Sequence, residues 1–392
     1  MIKKTISLLL AVVMLVLISP VSFAAEDVTG QKQINSLDDM IAYAWEHNEN
    51  LQKLDANIKS IQINLRDAEK AKEDAMEMAR LTIGRVGPVQ SIETQASIGL
   101  VRRGYNLKMV QNEYDMLLER REQIKQTLSL NITKGYIAVL QVRNNRAYME
   151  KMQEKLNKLM EITQLRYKLN MATDLELKNL KNQLEQLNNQ LVDIKEKENN
   201  IVKDLKRAMN LPDDYELVFT DNFTMNDEDG LNADEVIEKA LEKRLDLKQL
   251  KNAEELQKLK VDVYGSYYSK ASSTYKLEVI ALETIQKDVE AKIKDIKNEI
   301  EASVKNLELL RDAYNLADLD YQRVVEKHRI DKLKYELGMI SYIDMMDSEL
   351  ELMDASNKKK TALYNYISAK LDLDLASTYG TSVGGANLSA AN

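Results

Sequence analysis

Apolar residues fall at Leu177, Leu180, Leu184, Leu187, Leu191, Ile194, Ile201, Leu205 and Ala208. This alternating spacing of three and four predicts a helix over about 174–210, with a seam shaped for knobs-into-holes packing against a neighbour. Glu198 is the lapse in that seam, and Pro212 closes the helix. The same reading predicts a first helix over about Ser36–Arg80, with Ser36 as N-cap and Asp38 and Asp39 suited to the helix dipole. Gly84, Gly87, Pro88, Gly99 and Gly104 then predict a break over Thr82–Gly104. A very long helix follows from Tyr105 to Leu169, ended by a turn at Asn170–Thr173. Some 65 helical residues span on the order of 100 Å, so this rod must lie beside others of similar length.

The pattern then repeats. Leu37–Leu54 returns as Ala233–Leu250, with identities at Asp38/Asp234, Ile41/Ile237, Ala44/Ala240, Glu46/Glu242, Leu51/Leu247 and Leu54/Leu250. Arg166–Glu176 returns as Lys334–Asp344, where Tyr167, Leu169 and Met171 answer Tyr335, Leu337 and Met339. Asn232 caps a shorter first helix ending near Tyr264, and Gly265–Tyr275 predicts a small break. A second long helix covers Lys276–Leu337, Gly338 turns it, Ser341 caps the return, and the last helix reaches Ser377. Ala355, Ala362, Ala369 and Ala376 recur every seven residues there and predict close helix approach. Between the halves, Tyr215–Phe219 suits a short strand and Asn226–Gly230 an acidic turn. The fold class expected is all-α: long antiparallel coiled-coil hairpins in two tandem repeats, with little or no β structure.

Composition narrows the class. Lys3 and Lys4, the apolar run Ile6–Ile18 and the small residues of Ser22-Phe23-Ala24 read as a signal peptide cut after Ala24; an uncleaved anchor is the other reading, although the run is short for a bilayer span of about 20 residues. Residues 1–24 are thus assigned to the signal peptide, 25–211 to the first repeat, 212–232 to a linker, 233–379 to the second repeat and 380–392 to a disordered tail. The chain has no Cys, which removes disulfides and thiolate metal sites. Its net charge of −8 lacks the basic footprint of a nucleic-acid binder. His47 and His328 stand alone and read as ordinary helix positions, and Trp45 and the Met residues read as packing. Neither a phosphate loop nor a nucleophile motif is present, so no enzyme, cofactor or metal site is expected.

One constellation stands out. Asp344, Asp347, Glu351 and Asp354 are spaced three, four and three, which puts four carboxylates on one helix face. The first copy has Glu176, Asn179, Gln183 and Gln186 in their places. On a solitary helix such a face is simply solvated. Around a water-filled axis, copies of Asp344 and Asp347 would face one another, raising their pKa values or recruiting cations in a closable, cation-selective constriction.

The order of elements resembles the TolC family of trimeric outer-membrane efflux ducts. Lys334–Glu349 (KYELGMISYIDMMDSE) resembles the family's tip motif, and Ala240–Leu250 (ALEKRLDLKQL) resembles the segment opening its second repeat, with Leu245 where Pro is common. The resemblance covers nearly the whole chain after the signal segment. It implies a homotrimeric exit duct of a tripartite efflux or type I secretion-like system in the cell envelope, docking a periplasmic adaptor and an inner-membrane pump. Leu337, Gly338, Met339 and Ser341 would form one adaptor-docking tip, and Asn170, Met171, Ala172 and Thr173 the other, with Asn170 where the second copy has Gly. Asp344 and Asp347, with Glu351 below them, would ring a cation-sensitive gate.

One departure bears on location. Members of this family insert two membrane strands in each repeat, and a spanning strand needs about 9–11 alternating residues. Gly265–Tyr275 cannot hold two, and Thr82–Gly104 shows no sustained alternation. Either the duct ends in a reduced cap, or it serves a cell without an outer membrane. Tyr264, Tyr267, Tyr268 and Tyr275 suit either an interfacial girdle or a hairpin closing the helix pair. The missing strands also leave open an exported coiled-coil spacer or surface-interaction protein without channel activity.

Overall fold

The computed structural model describes residues 33–81, 91–225 and 232–380. The signal segment, the Gly84–Pro88 punctuation, the turn at 226–230 and the tail from 381 lie outside the described residues. The first half runs β1 (Gln33–Ile34), α1 (Leu37–His47), α2 (Glu49–Leu81), α3 (Ile92–Arg102), α4 (Tyr105–Lys168) and α5 (Asp174–Ala208). After β2 (Glu216–Leu217) come α6 (Ala233–Lys243), α7 (Leu245–Tyr267), α8 (Ser273–Glu336) and α9 (Tyr342–Thr378). The shared sequence is mirrored in shape: α1 and α6, α2 and α7, α4 and α8, α5 and α9 occupy matching places. The expected strand is a two-residue ladder, Gln33 opposite Glu216 and Ile34 opposite Leu217, in parallel.

Four long helices lie side by side. α4 packs on α5 along one flank and on α9 along the other, and α9 packs on α8. The outer edges are therefore α5 and α8. Two matching cores sit at mid-height. In the first, Met40 and Ala44 of α1 meet Ile132, Tyr136 and Val139 of α4, with Leu205, Leu217 and Phe219 closing over them. In the second, Ile237 and Ala240 of α6 meet Ile296, Ile300 and Val304 of α8 and Leu373 and Ala376 of α9. Each fully buried Leu or Ile is worth about 1.5–3 kcal/mol. Ala369 and Ala376 of the alanine series pack on this second core. Ala362 instead lines a groove between α4 and α9. Gly135 has a packing reason in the first core, since a Cβ there would stand 2.5 Å from Leu205 Cδ2.

Several boundaries differ from expectation. The first helix breaks at Asn48, whose side chain accepts from Leu51 N. Its counterpart breaks at Arg244, with φ −61 and ψ 128. That extended geometry, with α7 starting at Leu245, is what a Pro at Leu245 would require of its predecessor, so the missing Pro leaves the local shape unchanged. Helix α5 ends at Asn210 in the left-handed region (φ 54), before Pro212 is reached. The larger correction is α3. Part of the expected break is an 11-residue helix, capped by Ser91, whose side chain accepts from Thr94 N. Gly99 is a packing residue there: a Cβ would lie 2.6 Å from Tyr267 Cε2. Gly104, at φ 79, is the real stop. The break at Gly265–Tyr275 shrinks to residues 268–272. Tyr264 stacks on Tyr268 with ring centroids 5.3 Å apart, and Tyr275 packs by Gly265, which is the hairpin-closing arrangement.

Glu198, the lapse in the α5 seam, is buried. Arg143 Nε donates to its Oε1 at 2.6 Å, and Arg146 binds its other oxygen. The Arg143 guanidinium also lies 4.8 Å over the Phe219 ring, tying the seam to the linker. Buried ion pairs rarely exceed a well-packed apolar substitute, whereas stranding one partner is costly. Glu198 is the deeply buried partner, while the Arg143 and Arg146 side chains are 38% and 32% exposed and can reach water. Glu198→Leu, which completes the seam, is therefore expected to match or exceed the parent's stability in a urea melt. Arg143→Met with Arg146→Met should cost about 3–5 kcal/mol. A large loss on Glu198→Leu would contradict this ordering.

Candidate functional site

Both hairpins turn by the same device. At the first, Asn170 N–H donates to Tyr167 O and Met171 N–H to Arg166 O; at the second, Gly338 donates to Tyr335 O and Met339 to Lys334 O. This is the Schellman pattern, with a left-handed residue after the helix. Asn170 takes that conformation at φ 58 and Gly338 at φ 68, so Asn serves where the second copy has Gly. The return helices then open with matched capping boxes. Thr173 N–H donates to Glu176 and Glu176 N–H to Thr173 Oγ1. Ser341 N–H donates to Asp344 at 2.9 Å and Asp344 N–H to Ser341 Oγ at 3.2 Å. The turns leave Leu169, Met171, Leu337 (76% exposed) and Met339 open to solvent, with Thr173 and Ser341 beside them and Ala172 half-buried.

The four carboxylates divide by role. Asp344 is held by its cap: the hydrogen bond from the Ser341 hydroxyl, then that from its backbone, keeps the carboxyl below its ordinary pKa. Crowding that would raise it is not present within one chain. Asp347, Glu351 and Asp354 line a groove of about 330 Å³ between α4 and α9, with Tyr148, Lys155 and Leu350. Each has its own cation: Lys155 of α4 for Asp347, Lys327 of α8 for Glu351, and Lys358 for Asp354 at 2.7 Å. No group of acidic or His side chains able to hold a metal occurs among the described residues.

Asp347 is thus part of a clasp between the hairpins. Lys151 Nζ of α4 lies 2.8 Å from Glu349 of α9, and the Tyr342 hydroxyl donates to Glu154 at 3.4 Å. The hydrogen bond to Glu349, followed by that to Glu154, holds the Lys151 ammonium above its ordinary pKa. The Lys155–Asp347 and Lys151–Glu349 pairs set the antiparallel register, which places the start of α9 roughly two to three turns short of Lys168, where α4 ends. The first tip therefore stands on the order of 10–15 Å beyond the second.

The lysines of this clasp were not singled out in the sequence; their signal is register, since antiparallel helices bring late α4 positions against early α9 positions. Arg244 was also missed. It is buried, and its guanidinium donates to both Asp246 oxygens at 3.1 and 2.7 Å and to Glu299 at 2.6 Å. Gly380, at φ 83, packs over it, and Gln123 donates to the Tyr379 and Gly380 carbonyls. Trp45 does more than pack: its indole N–H donates to Lys125 O and Ser129 Oγ, both at 3.1 Å. His47 stacks on Tyr43, and His328 faces the Ser348 hydroxyl.

The two outer edges are unlike. α8 leaves Leu309 (61%), Leu316 (70%), Leu319 (63%), Ile330 and Leu333 exposed. Leu309 and Leu316 are seven apart and Leu319 and Leu333 fourteen, which is heptad spacing on a side that no described helix covers. The α5 edge presents amides and charges, including Asn182, Gln186 and Asn189, with Val192 and Leu175 as its exposed apolar residues. At the far end from the tips, α7 and α8 are joined through residues 268–272, so the second repeat contributes no spanning strand among the described residues. No described helix is long and apolar enough to cross a membrane.

No family model and no curated protein sequence matches the chain. Solved structures do. The outer membrane protein VceC of Vibrio cholerae matches with a TM-score of 0.61 at 14% identity, over 88% of this chain and 97% of that one. A membrane protein from Pseudomonas aeruginosa matches at 0.60 and 12% identity, over 92% and 95%. The CmeC outer membrane channel of Campylobacter jejuni matches at 0.58 and 13%, over 88% and 87%. The chain therefore has a TolC-like, mainly helical fold, shared with structures of outer-membrane channels.

Proposed function

We propose that this chain is the exit-duct component of an efflux or type I secretion-like system, assembled from three copies. The observation that carries this reading is the slab of four helices with two unlike free edges, one bearing the uncovered seam of Leu309, Leu316, Leu319 and Ile330. Joined α8 to α8, two such slabs would stop at a pair with both α5 edges unused, whereas joining unlike edges lets every copy use both. The slab closes head to tail, α8 of one copy against α5 of the next, and such a contact makes a ring when the rotation closes. The number of copies and the envelope setting rest on the likeness to outer-membrane channels. The exposed Leu337 and Met339, with Met171, form the tips that receive a helical adaptor, and the pump behind it supplies the energy. This chain performs no chemistry of its own.

Asp344 and Asp347 stand at the entrance, where copies around an axis bring them together. The Lys155–Asp347 and Lys151–Glu349 pairs hold each chain's two hairpins in line and so set the width of that opening. Light scattering on the purified protein is expected to give the mass of three chains. Calorimetric titration of that assembly with a lanthanide ion is expected to show saturable binding that Asp344→Asn with Asp347→Asn abolishes. A single-chain mass would remove the duct; a trimer whose cation binding survives the double replacement would remove the entrance role alone. The loop at 268–272 favours the second reading, an exported coiled-coil spacer, and a single-chain mass is its expected result.

A further inference from the structure

Independently of how many copies assemble, we propose that the face of the slab turned away from the linker binds an uncharged saccharide, held by carboxamide and hydroxyl side chains of α4 and α9. A groove of about 570 Å³ runs between these helices. Gln141, Asn145 and Tyr148 line it from α4, and Asn357, Thr361 and Asn365 from α9. Spacings of four and three on α4, and of four and four on α9, set each group on one helix face. Ile132, which packs in the core with α1, and Gln141 are about two and a half turns apart, so they point to opposite sides of α4. Asn144 is engaged within the chain: its carbonyl accepts from Asn357 Nδ2 at 3.4 Å and its side chain from Lys360 Nζ at 3.1 Å. Gln141, Asn145, Thr361 and Asn365 instead spend no side-chain hydrogen bond on a described residue. Asparagine is a poor residue for a helix interior, yet Asn144, Asn145, Asn357 and Asn365 all lie inside long helices around this one groove. Helix propensity gives no account of them.

The lining decides the class of ligand. Its two charged residues, Asp354 and Lys358, pair with each other at 2.7 Å, which disfavours an ion. A drug-sized apolar ligand needs a mostly apolar pocket, and here carboxamides and hydroxyls prevail. An extended peptide docks by backbone bonds to a sheet edge, and helices offer none. A carboxamide supplies an acceptor and two donors, which suits neighbouring sugar hydroxyls. Tyr148 adds an apolar ring with a hydroxyl at its end. On the other flank of α4, a second groove of about 470 Å³ shares Gln141 and Asn145 and adds Gln190, Asp193 and Lys197 of α5. Packed helix axes lie about 8–10 Å apart, so the two grooves together cross on the order of 20 Å, which suits an oligosaccharide. Tyr148 and Asp354 also line the groove of Asp347. In a closed ring this face would turn to the passage and meet what moves through it; that placement alone rests on the duct reading.

Saturation-transfer NMR on the purified full-length protein tests this with four probes: the tetramers of glucose, of N-acetylglucosamine and of galacturonic acid, and tetraalanine. At least one neutral sugar is expected to bind about tenfold tighter or more than the acidic sugar and the peptide. Asn145→Ala with Asn365→Ala should weaken that binding about tenfold or more. The same variant should keep or raise the thermal midpoint, because alanine is the better helix former; a merely structural role for these amides would lower it. No transfer to either neutral sugar, equal binding of the acidic sugar or of tetraalanine, or parental binding by the Ala variant would overturn the proposal. Light scattering on the same samples separates the two readings. A single-chain mass with sugar binding intact removes the duct and keeps the site, and a three-chain mass without sugar binding removes the site alone.

Discussion

Arg244→Met is expected to cost about 3–5 kcal/mol of stability and to loosen the end of α9 before the rest of the molecule. Arg244 sits where α6 gives way to α7, buried, with Asp246 and Glu299 as its acceptors and Gly380 packed on its guanidinium. Methionine fills the volume but leaves Asp246 and Glu299 without the cation that offsets their desolvation. Urea melts measure the loss, and hydrogen exchange in the last turns of α9 measures where it begins. The same pair gives a pH signature. Burial acts to raise the Asp246 pKa, but the hydrogen bond and charge of Arg244, with Lys292, outweigh it and hold the carboxyl below its ordinary value. A carboxyl depressed on folding stabilises above its unfolded pKa, near 4, and that contribution is lost as pH falls through the lower folded value. The parent should therefore lose stability steeply below about pH 4, and Arg244→Met should show a shallower loss there. An unchanged melt with an unchanged acid limb would show that Arg244 does not anchor the second repeat.

Leu316→Glu with Leu319→Glu is expected to release single chains from the assembly. Both side chains are more than half exposed in the single chain, so charging them leaves the hairpin's own packing intact. In a head-to-tail ring they lie against the neighbour's α5, where two buried leucines would each be worth about 1.5–3 kcal/mol. Their loss, with two carboxylates forced into the contact, weakens each interface on the order of a hundredfold or more. Light scattering across a dilution series reads this directly, with circular dichroism confirming that helicity is retained. A three-chain mass that survives the double replacement would place the interface elsewhere.

The long rods were legible because their signal is long. The α5 seam holds its spacing over five turns, and α4 and α8 need only a helical pattern without interruption. The tips were legible because a left-handed residue followed by a Ser or Thr cap is a local code. Glu176 and Asp344 were noticed as carboxylates, but their first task is that local one, closing the capping boxes. What sequence spacing hid was anything decided between elements. Gly99 reads as a breaker until Tyr267 is seen to fill its missing side chain's space. Glu198 reads as a lapse until Arg143 and Arg146 reach it from α4. Lys151 and Lys155 carry no pattern of their own and gain meaning from the antiparallel register that sets them against Glu349 and Asp347. Arg244 lay within a quoted motif, yet its burial depends on Glu299 and Gly380, far away along the chain.

Single-particle imaging of the purified protein, viewed down its long axis, bears most directly on whether these rods enclose an aqueous passage. The account predicts three copies in a closed ring of helices, with solvent in the middle and Asp344 and Asp347 lining one end. A filled bundle with no central opening, or an isolated four-helix slab, would contradict it.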